Sequence, residues 1–304
     1  MRFFFSMPTG DIVGKKVTLN SGRLMPLLGF GTYQIPENEL GLDAVLEAIR
    51  FGYDLLDCAS FYQNEKLIGL ALKKVDRKSI FVVSKVWNDA IFAGPKAVRE
   101  SCLQSVSDLQ CEYLDLYLIH WPVPGKHVEA YKELVKLQQE GLVRDIGISN
   151  YTIEDYEELS ASGINVVPVV NQIEINPFLN RKSTLGYFKN RGILPMSFRG
   201  LRNATAFDDP TLTRIAAELG VSTAQILGRW LVQKGICHIP KSLQRTRIHR
   251  NADIFGFTLS EEHMHALDQL TTAKNMEIFR EHYLSRITRD TPISGYQDKV
   301  VTID

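Results

Sequence analysis

The sequence has few cysteines, and they are not arranged in pairs. Cys58, Cys102, Cys111 and Cys237 form no CxxC pair, and their spacing matches no zinc-binding pattern. Four scattered cysteines in a chain of 304 residues are typical of free thiols in a reducing compartment, and disulfides are the less favoured alternative. We therefore expect a cytoplasmic protein without a disulfide framework and without a metal site.

The sequence also lacks a net charge and a long apolar segment. Lys plus Arg number 35, and so do Asp plus Glu, which argues against a non-specific nucleic-acid or membrane-surface binder but leaves local patches open. No apolar run approaches the ~18 residues of a membrane span. The run Phe3 to Phe5 resembles the start of a signal peptide, but it ends at Ser6 and is too short. We expect no nucleic-acid and no membrane partner and, without an apolar stripe, a monomer.

A third absence concerns the fold. No GxGxxG motif follows the first predicted strand, which argues against a doubly wound sheet, the alternative fold. Instead, eight short apolar runs alternate with segments of helical periodicity. The predicted strands are residues 27–33, 53–59, 80–86, 114–120, 144–150, 166–173, 193–198 and 237–242. The predicted helices are residues 39–51, 65–75, 95–109, 128–140, 153–161, 181–191, 210–219, 221–234, 246–254 and 261–270.

This alternation predicts an α/β fold, a (β/α)8 TIM barrel with an N-terminal β-hairpin and a C-terminal tail. The hairpin is expected around an Asn-Ser-Gly turn at residues 20–22. Residues 1–304 are predicted to form a single domain, with a loose extension at 1–16 and a tail at 271–304. A hypothesis for the tail is that part of it covers the active site.

Polar side chains stand where three consecutive predicted strands end. Asp57 ends the second strand and Tyr62 follows it, Lys85 interrupts the third, and His120 ends the fourth. The C-terminal ends of barrel strands face the active site. A buried lysine needs a partner, and Asp57 on the adjacent strand is the obvious one. Considered one at a time, these residues also fit non-catalytic roles. Asp57 and Lys85 are compatible with a structural ion pair, Tyr62 with a packing residue and His120 with a core histidine.

Together the four residues indicate a chemistry. A lysine beside a tyrosine favours the phenolate and is expected to lower the pKa of that tyrosine. Such a tyrosine can donate a proton to a carbonyl oxygen that gains negative charge, and a histidine can orient that oxygen. The group therefore predicts reduction of a carbonyl by a hydride that another molecule supplies.

Seven stretches of the chain resemble the aldo-keto reductase superfamily. They are GFGTY at 29–33, LDCASFYQNE at 56–65, SKVW at 84–87, LIHWP at 118–122, IGISN at 146–150, NQIE at 171–174 and IPKS at 239–242. They occur in family order between about residue 17 and about residue 270, and the short loops are similar to those of small prokaryotic-type NADPH-dependent members. The resemblance implies a catalytic tetrad of Asp57, Tyr62, Lys85 and His120. In it, Tyr62 is the general acid, Lys85 assists it, Asp57 holds Lys85 and His120 orients the carbonyl.

The resemblance also implies NADPH/NADP+ as the cofactor, extended across the C-terminal face of the barrel. The expected cofactor contacts are Gly31, Thr32, Tyr33, Asp57, Ser149, Asn150, Gln172, Phe198, Arg199, Leu201, Lys241, Ser242, Arg247 and Asn251. Among these, Ser149, Asn150 and Gln172 are implied to hold the nicotinamide carboxamide, and Lys241, Ser242 and Arg247 the 2′-phosphate. The expected substrate contacts are Tyr33, Trp87, His120 and Trp121, with Phe61 beside them in an apolar pocket.

Two positions depart from the family pattern. Arg199 replaces a small serine in a loop over the cofactor pyrophosphate, and we hypothesise that it pairs with the pyrophosphate; a solvent-facing arginine is the alternative. Arg250 stands where the family often has Glu, so an acidic contact to the adenine amino group is replaced by a cation.

The sequence thus predicts an enzyme, an NADP-dependent aldo-keto reductase that converts small-molecule aldehydes and ketones to alcohols. Two alternatives remain. One is a cofactor-binding regulatory member of the same superfamily with little turnover. The other is an unrelated phosphate-binding barrel, such as an isomerase or an aldolase, in which Lys85 forms a Schiff base.

Overall fold

The computed structural model describes residues 12–304. A three-stranded antiparallel sheet comes first, formed by β1 (Ile12–Val13), β2 (Lys16–Thr18) and β3 (Leu24–Pro26). β2 and β3 are the predicted hairpin, and Gly22 in its turn has a φ of 82°, a value that glycine adopts without strain. Residues 12, 13 and 16 of the segment predicted to be loose pair in this sheet, whereas residues 1–11 lie outside the described residues.

Eight parallel strands form the predicted (β/α)8 barrel. They are β4 (Phe30–Gly31), β5 (Leu55–Asp57), β6 (Phe81–Val86), β7 (Leu114–Ile119), β8 (Val143–Ser149), β9 (Val170–Glu174), β10 (Leu194–Phe198) and β11 (Cys237–His238). The barrel closes between β11 and β4, where the Gly29 amide donates to the His238 carbonyl at 2.8 Å. Gly31 is needed at this seam, because a Cβ there would lie 3.0 Å from the Ile239 carbonyl oxygen.

Four of the strands, β4, β5, β9 and β11, are markedly shorter than predicted. The ladder of β9 begins only at Val170, because Pro168 cannot donate a backbone hydrogen bond. β4 and β11 contain two residues each, since the closing seam is held by few hydrogen bonds. All eight strands were nevertheless identified correctly in number, order and type.

Residues 12–304 contain twelve α-helices, which surround the barrel or follow it. They are α1 (Glu39–Arg50), α2 (Glu65–Leu72), α3 (Asn88–Ala93), α4 (Pro95–Asp108), α5 (His127–Gln139), α6 (Ile153–Ala161), α7 (Lys182–Lys189), α8 (Pro210–Leu219), α9 (Thr223–Gln233), α10 (Arg245–Ala252), α11 (Glu261–Asp268) and α12 (Ala273–Arg286). None of the helices between residues 12 and 304 is both long and apolar enough to cross a bilayer. The four cysteines are free thiols.

Local signals explain why several helices begin where they do. Capping boxes start α6, through Thr152 and Asp155, and α9, through Ser222 and Gln225. Proline occupies the first position of α4 and α8, where its missing amide hydrogen costs nothing. Two helices were not predicted, α3 and α12. α12 lies in the predicted tail and fully buries only Tyr283, so its sequence shows no regular apolar stripe.

An ion-pair cluster connects the N-terminal sheet to the barrel. Arg23, which directly precedes β3, places Nε 3.0 Å from Asp145 Oδ2 and Nη2 3.4 Å from Asp115 Oδ1. Asp145 in β8 is fully buried, and Arg77 contacts Asp115 at 2.8 Å from the other side. Burial raises the pKa of Asp145, and Ser21 and Arg23 act against that rise. The partly exposed Arg23 is thus the cation that compensates for a buried carboxylate.

We expect Arg23→Ala to lower the free energy of unfolding by about 1–3 kcal/mol at neutral pH, because a buried acceptor loses its partner. The folded-state pKa of Asp145 should rise further in the variant. The folded state then binds more protons than the unfolded state, so stability falls as pH increases and the loss should be smaller at mildly acidic pH. Urea denaturation at two pH values measures both effects.

The control for this prediction is the double variant Arg23→Ala/Asp145→Asn. It removes the buried charge together with its cation, and it should recover part of the lost stability. Equal losses in the single and double variants at every pH would contradict the prediction.

Candidate active site

The structure brings the four predicted catalytic residues together at the C-terminal end of the barrel. Asp57 is the last residue of β5, Lys85 lies near the end of β6 and His120 directly follows β7. Tyr62 ends a short 3₁₀ helix, Ser60–Tyr62, that follows β5. The Ser60 hydroxyl donates to the Lys85 carbonyl at 3.0 Å and so fixes this turn against β6.

Lys85 is the centre of the group. Its side chain is fully buried, and its ammonium donates to Asp57 Oδ2 at 2.8 Å, to the Cys58 carbonyl at 2.9 Å and to Tyr62 Oη at 3.1 Å. A lysine ammonium has three donors, and here all three have acceptors. Because the Tyr62 oxygen accepts from Lys85, its own hydroxyl proton points elsewhere. Between residues 12 and 304 no group accepts that proton, so it can be donated to a ligand.

The net effect on the Tyr62 pKa is opposite to the sequence-based expectation. Burial raises the pKa of Tyr62 to about 12, although Lys85 lowers it; Asp57 adds to the rise. Lys85 does act in the predicted direction, but loss of hydration around the phenol outweighs it. Tyr62 is therefore protonated at neutral pH, which is the state required of a proton donor.

The charge states of Lys85 and His120 follow from the same burial. Burial alone lowers the pKa of Lys85, but the attraction of Asp57, together with Tyr62, outweighs it and raises that pKa, so Lys85 stays cationic. Burial, and secondarily the Lys85 charge, holds the pKa of His120 well below its usual range. His120 is thus a neutral imidazole, suited to orient an oxygen by a hydrogen bond.

The residues predicted to hold a carboxamide lie beside the tetrad and are bonded to it. Gln172 Nε2 donates to Asp57 Oδ1 at 2.7 Å, across the barrel from β9 to β5. Asn150 Nδ2 donates to the His120 carbonyl at 3.0 Å, and the Ser149 hydroxyl donates to the Gln172 carbonyl at 2.8 Å. Among the described residues the side-chain oxygens of Asn150 and Gln172 accept no hydrogen bond, so they can accept from an amide.

The predicted phosphate end lies after β11. Lys241 and Arg247 are exposed, Ser242 is partly exposed, and neither cation has an ion-pair partner in the described part of the chain. The neighbouring Arg245, in contrast, pairs with Glu47 at 2.8 Å. Two unpaired cations and a hydroxyl at the start of α10 fit a phosphate group. Asn251 is buried in α10, and Arg250, one of the two departures, is exposed.

The remaining predicted cofactor residues fall into two places. Thr32 is buried and donates to the Asp57 carbonyl at 2.9 Å, while Tyr33 is nearly half exposed above Tyr62, with ring centroids 5.1 Å apart. Phe198 ends β10, and Leu201 packs in an apolar cluster below the following loop.

Arg199, the other departure, already has a protein partner. Its Nη1 lies 3.1 Å from Glu174 Oε2, and its φ is 52°, an unusual value for a residue other than glycine. Contact with a cofactor pyrophosphate stays a prediction, and it would compete with Glu174.

An aromatic wall borders His120. Phe61 stacks on Trp87 at 3.9 Å between centroids, and Trp87 meets the His120 ring edge-on at 4.8 Å. Trp121 faces Tyr283 of α12 at 5.7 Å. The C-terminal tail therefore reaches the predicted substrate side of the site. Among residues 12–304 no group of three or more His, Cys, Asp or Glu side chains could hold a metal ion.

Comparison with known proteins identifies relatives along most of the chain. The aldo/keto reductase family profile matches residues 27–272. Glyoxal reductase of Bacillus subtilis is 38% identical over 266 residues, which are 87% of this chain and 95% of the relative. Methylglyoxal reductase DkgA of Escherichia coli K12 is 35% identical over 266 residues, 86% of this chain and 94% of the relative.

Comparison with solved structures also identifies similar folds along most of the chain. The apo form of Gox0644 superposes with a TM-score of 0.82 at 34% identity and covers 86% of this chain and 94% of its own. A Bombyx mori aldo-keto reductase in complex with NADP has a TM-score of 0.78 at 32% identity and covers 87% of this chain and 94% of its own.

The buried ion pair predicts a strong dependence of stability on Lys85. Lys85→Met leaves Asp57 buried without its cation and should lower the free energy of unfolding by about 3–5 kcal/mol. Adding Asp57→Asn removes the stranded charge and should restore part of that loss. Urea denaturation of the wild type, both single variants and the double variant gives the coupling energy.

Lys16→Met is the matched control, since Lys16 pairs with Asp54 at 3.5 Å on the surface and should contribute less than about 1 kcal/mol. Strictly additive losses for Lys85→Met and Asp57→Asn would contradict the buried pair.

Proposed function

The chain belongs to the aldo/keto reductase family, and from that premise we propose that it reduces aldehydes and ketones to alcohols with a hydride from NADPH. The observation that carries the proposal is the hydrogen-bond set of Lys85. All three of its protons are donated to acceptors within the chain, and one acceptor is the Tyr62 hydroxyl oxygen. A protonated tyrosine with a free hydroxyl proton then lies beside a neutral histidine, with their ring centroids 5.9 Å apart.

The chain's own residues perform the protonation part of such a reaction. The carbonyl oxygen of the substrate binds between Tyr62 and His120, and the neutral imidazole orients it. As negative charge develops on that oxygen, Tyr62 donates its proton, and the Lys85 ammonium stabilises the phenolate that remains. Asp57 holds Lys85 in place through the contact at 2.8 Å, and Gln172 in turn holds Asp57 through the contact at 2.7 Å. NADPH, when bound, supplies the hydride.

The residues present fit this cofactor at both of its ends. Lys241, Ser242 and Arg247 offer two cations and a hydroxyl to a 2′-phosphate. Asn150 and Gln172 offer side-chain oxygens to the carboxamide donors. A neighbour in complex with NADP supports the same cofactor class.

The geometry disfavours the alternative of a Schiff-base enzyme. A Schiff base needs a neutral amine with a free lone pair. Lys85 is held as an ammonium by Asp57, and burial leaves no open side to its nitrogen. The complete tetrad, in which Lys85 is bonded to both Asp57 and Tyr62, also favours turnover over a purely cofactor-binding, regulatory role.

We expect Tyr62→Phe to lower kcat for reduction of methylglyoxal or a simple aldehyde by about 10²–10⁴, because the proton donor is lost. NADPH binding should be retained. The loss of NADPH absorbance measures turnover, and fluorescence titration measures binding. The matched control is Tyr113→Phe, which removes a hydroxyl near the opposite end of β7. Undiminished turnover in Tyr62→Phe would refute the assigned donor, and a wild type that binds NADPH but reduces no carbonyl would favour the regulatory alternative.

Cofactor preference gives a separate prediction. Lys241→Ala and Arg247→Ala should each weaken NADPH binding by about 10–100-fold, the loss expected for one charged hydrogen bond, with a much smaller effect on NADH. Dissociation constants for both cofactors measure the ratio. Arg245→Ala is the control, because Arg245 lies on the same helix but pairs with Glu47. If Arg245→Ala changed the ratio as much as Arg247→Ala, the assignment would be wrong.

A further inference from the structure

The C-terminal tail places a short turn, Arg289 and Asp290, on the aromatic wall of the site. The Trp87 indole nitrogen donates to Asp290 Oδ2 at 2.8 Å, and the Asn88 amide donates to the Arg289 carbonyl at 3.1 Å. Asp290 has a φ of 61°, so the backbone turns sharply at this point. Both side-chain donors come from the segment directly after β6, the strand that carries Lys85. The turn is therefore tied to the rim of the catalytic group.

The Arg289 guanidinium lies against this wall. Its central carbon is 4.7 Å from the Phe61 ring centroid and 5.8 Å from that of Trp87. Stacking on aromatic faces fixes the plane of an arginine while its N–H groups stay available. The side chain is about half exposed, at 49%.

Asp290 is the one charged neighbour of Arg289 in the described residues, and it does not occupy the guanidinium fork. The contact joins Nε to Oδ2 at 3.7 Å, which is beyond hydrogen-bond distance, and that carboxylate already accepts the Trp87 indole proton. The two terminal nitrogens of Arg289 have no acidic partner between residues 12 and 304. They can donate two parallel hydrogen bonds to one carboxylate, the geometry that a guanidinium matches best.

The Trp87 indole is a common neighbour of this cation and of the reacting centre. Its ring centroid lies 5.8 Å from the guanidinium carbon and 4.8 Å from the His120 ring centroid. A substrate that places its carbonyl oxygen between Tyr62 and His120 and extends along this indole then brings a group about one aromatic ring away within reach of Arg289. The surface beside Arg289 includes the uncharged rings of Phe61 and Trp87, and the neighbouring Asp290 carboxylate already accepts the Trp87 indole proton.

We propose that Arg289 is a specificity-determining residue that binds a carboxylate on the substrate. The preferred substrates are then oxo acids, in which an aldehyde or ketone and a carboxylate are separated by roughly the width of one ring. This inference rests on the proposed carbonyl reduction, and it adds the class of substrate.

Two substrates of the same shape test it: 4-carboxybenzaldehyde, which is an anion, and 4-carbamoylbenzaldehyde, its neutral amide. The readout is the ratio of their kcat/KM values with NADPH on one enzyme, so any general loss of activity cancels. We expect the wild-type kcat/KM to be at least tenfold higher for the acid than for the amide. Arg289→Ala should abolish that preference by raising KM for the acid. Arg289→Lys, which keeps the charge but not the fork, should retain part of it.

Arg286→Ala is the matched control, since Arg286 is exposed near the end of α12 and has no ion-pair partner in the described chain. Arg286→Ala changes the net charge by the same amount as Arg289→Ala. A similar drop in the acid-to-amide ratio would therefore show that long-range attraction causes the preference, and it would overturn the proposal. An unchanged ratio in Arg289→Ala would do the same.

Binding measurements keep this inference separable from the proposed function. Tryptophan fluorescence titration of the NADPH-loaded protein gives dissociation constants for the corresponding alcohols, 4-(hydroxymethyl)benzoate and 4-(hydroxymethyl)benzamide, without any turnover. If the wild type reduces no aldehyde but binds the benzoate at least tenfold more tightly than the benzamide, and Arg289→Ala removes the difference, the carboxylate site stands and the reductase assignment fails. Equal binding of the two ligands by the wild type overturns the carboxylate site.

Discussion

The buried ammonium of Lys85 is the constraint on which the rest of the site depends. A charge without water must be matched by acceptors in fixed positions, and the segment 57–62 supplies three of them. Asp57 supplies the opposite charge, the Cys58 carbonyl supplies a backbone acceptor, and Tyr62 supplies a phenol oxygen. The other oxygen of Asp57 is bonded to Gln172 from the opposite side of the barrel. A change of the Asp57, Tyr62 or Gln172 side chain therefore leaves a buried polar group unmatched, which makes these positions costly to alter.

Burial also sets the protonation states that the proposed chemistry needs. Tyr62 remains a phenol although a cation lies 3.1 Å away, and His120 remains a neutral imidazole because its desolvation and the same cation both oppose protonation. One environment thus keeps a proton on the group that must donate it and off the group that must orient the substrate. In a more exposed site, Lys85 would lower the pKa of Tyr62. Part of the Tyr62 population would then be phenolate, which has no proton to donate.

The sequence predicted the features that follow from strand order and missed those that depend on long-range packing. The eight strands and the meeting of Asp57, Tyr62, Lys85 and His120 follow from the rule that parallel strands end on one face. The predicted direction of the Tyr62 pKa shift was wrong, because the sequence indicates a neighbouring charge but does not indicate how deeply the phenol is buried. The bond from Gln172 to Asp57 spans 115 residues, and no local pattern indicates it. α12 was missed because its apolar residues contact the site individually and form no stripe.

The C-terminal tail is anchored at the start of α6, close to the proposed nicotinamide contacts. Tyr283 donates to Asp155 Oδ2 at 2.6 Å, Lys299 contacts the other oxygen of Asp155, and the Thr302 amide donates to Glu154 at 3.0 Å. Asp155 belongs to the capping box of α6, only five residues after Asn150, whose amide holds the His120 carbonyl. The tail anchors and the proposed carboxamide contact of Asn150 thus share one short segment, residues 150–155. The tail that carries Arg289 is therefore held at the same segment that contributes to the proposed nicotinamide contacts.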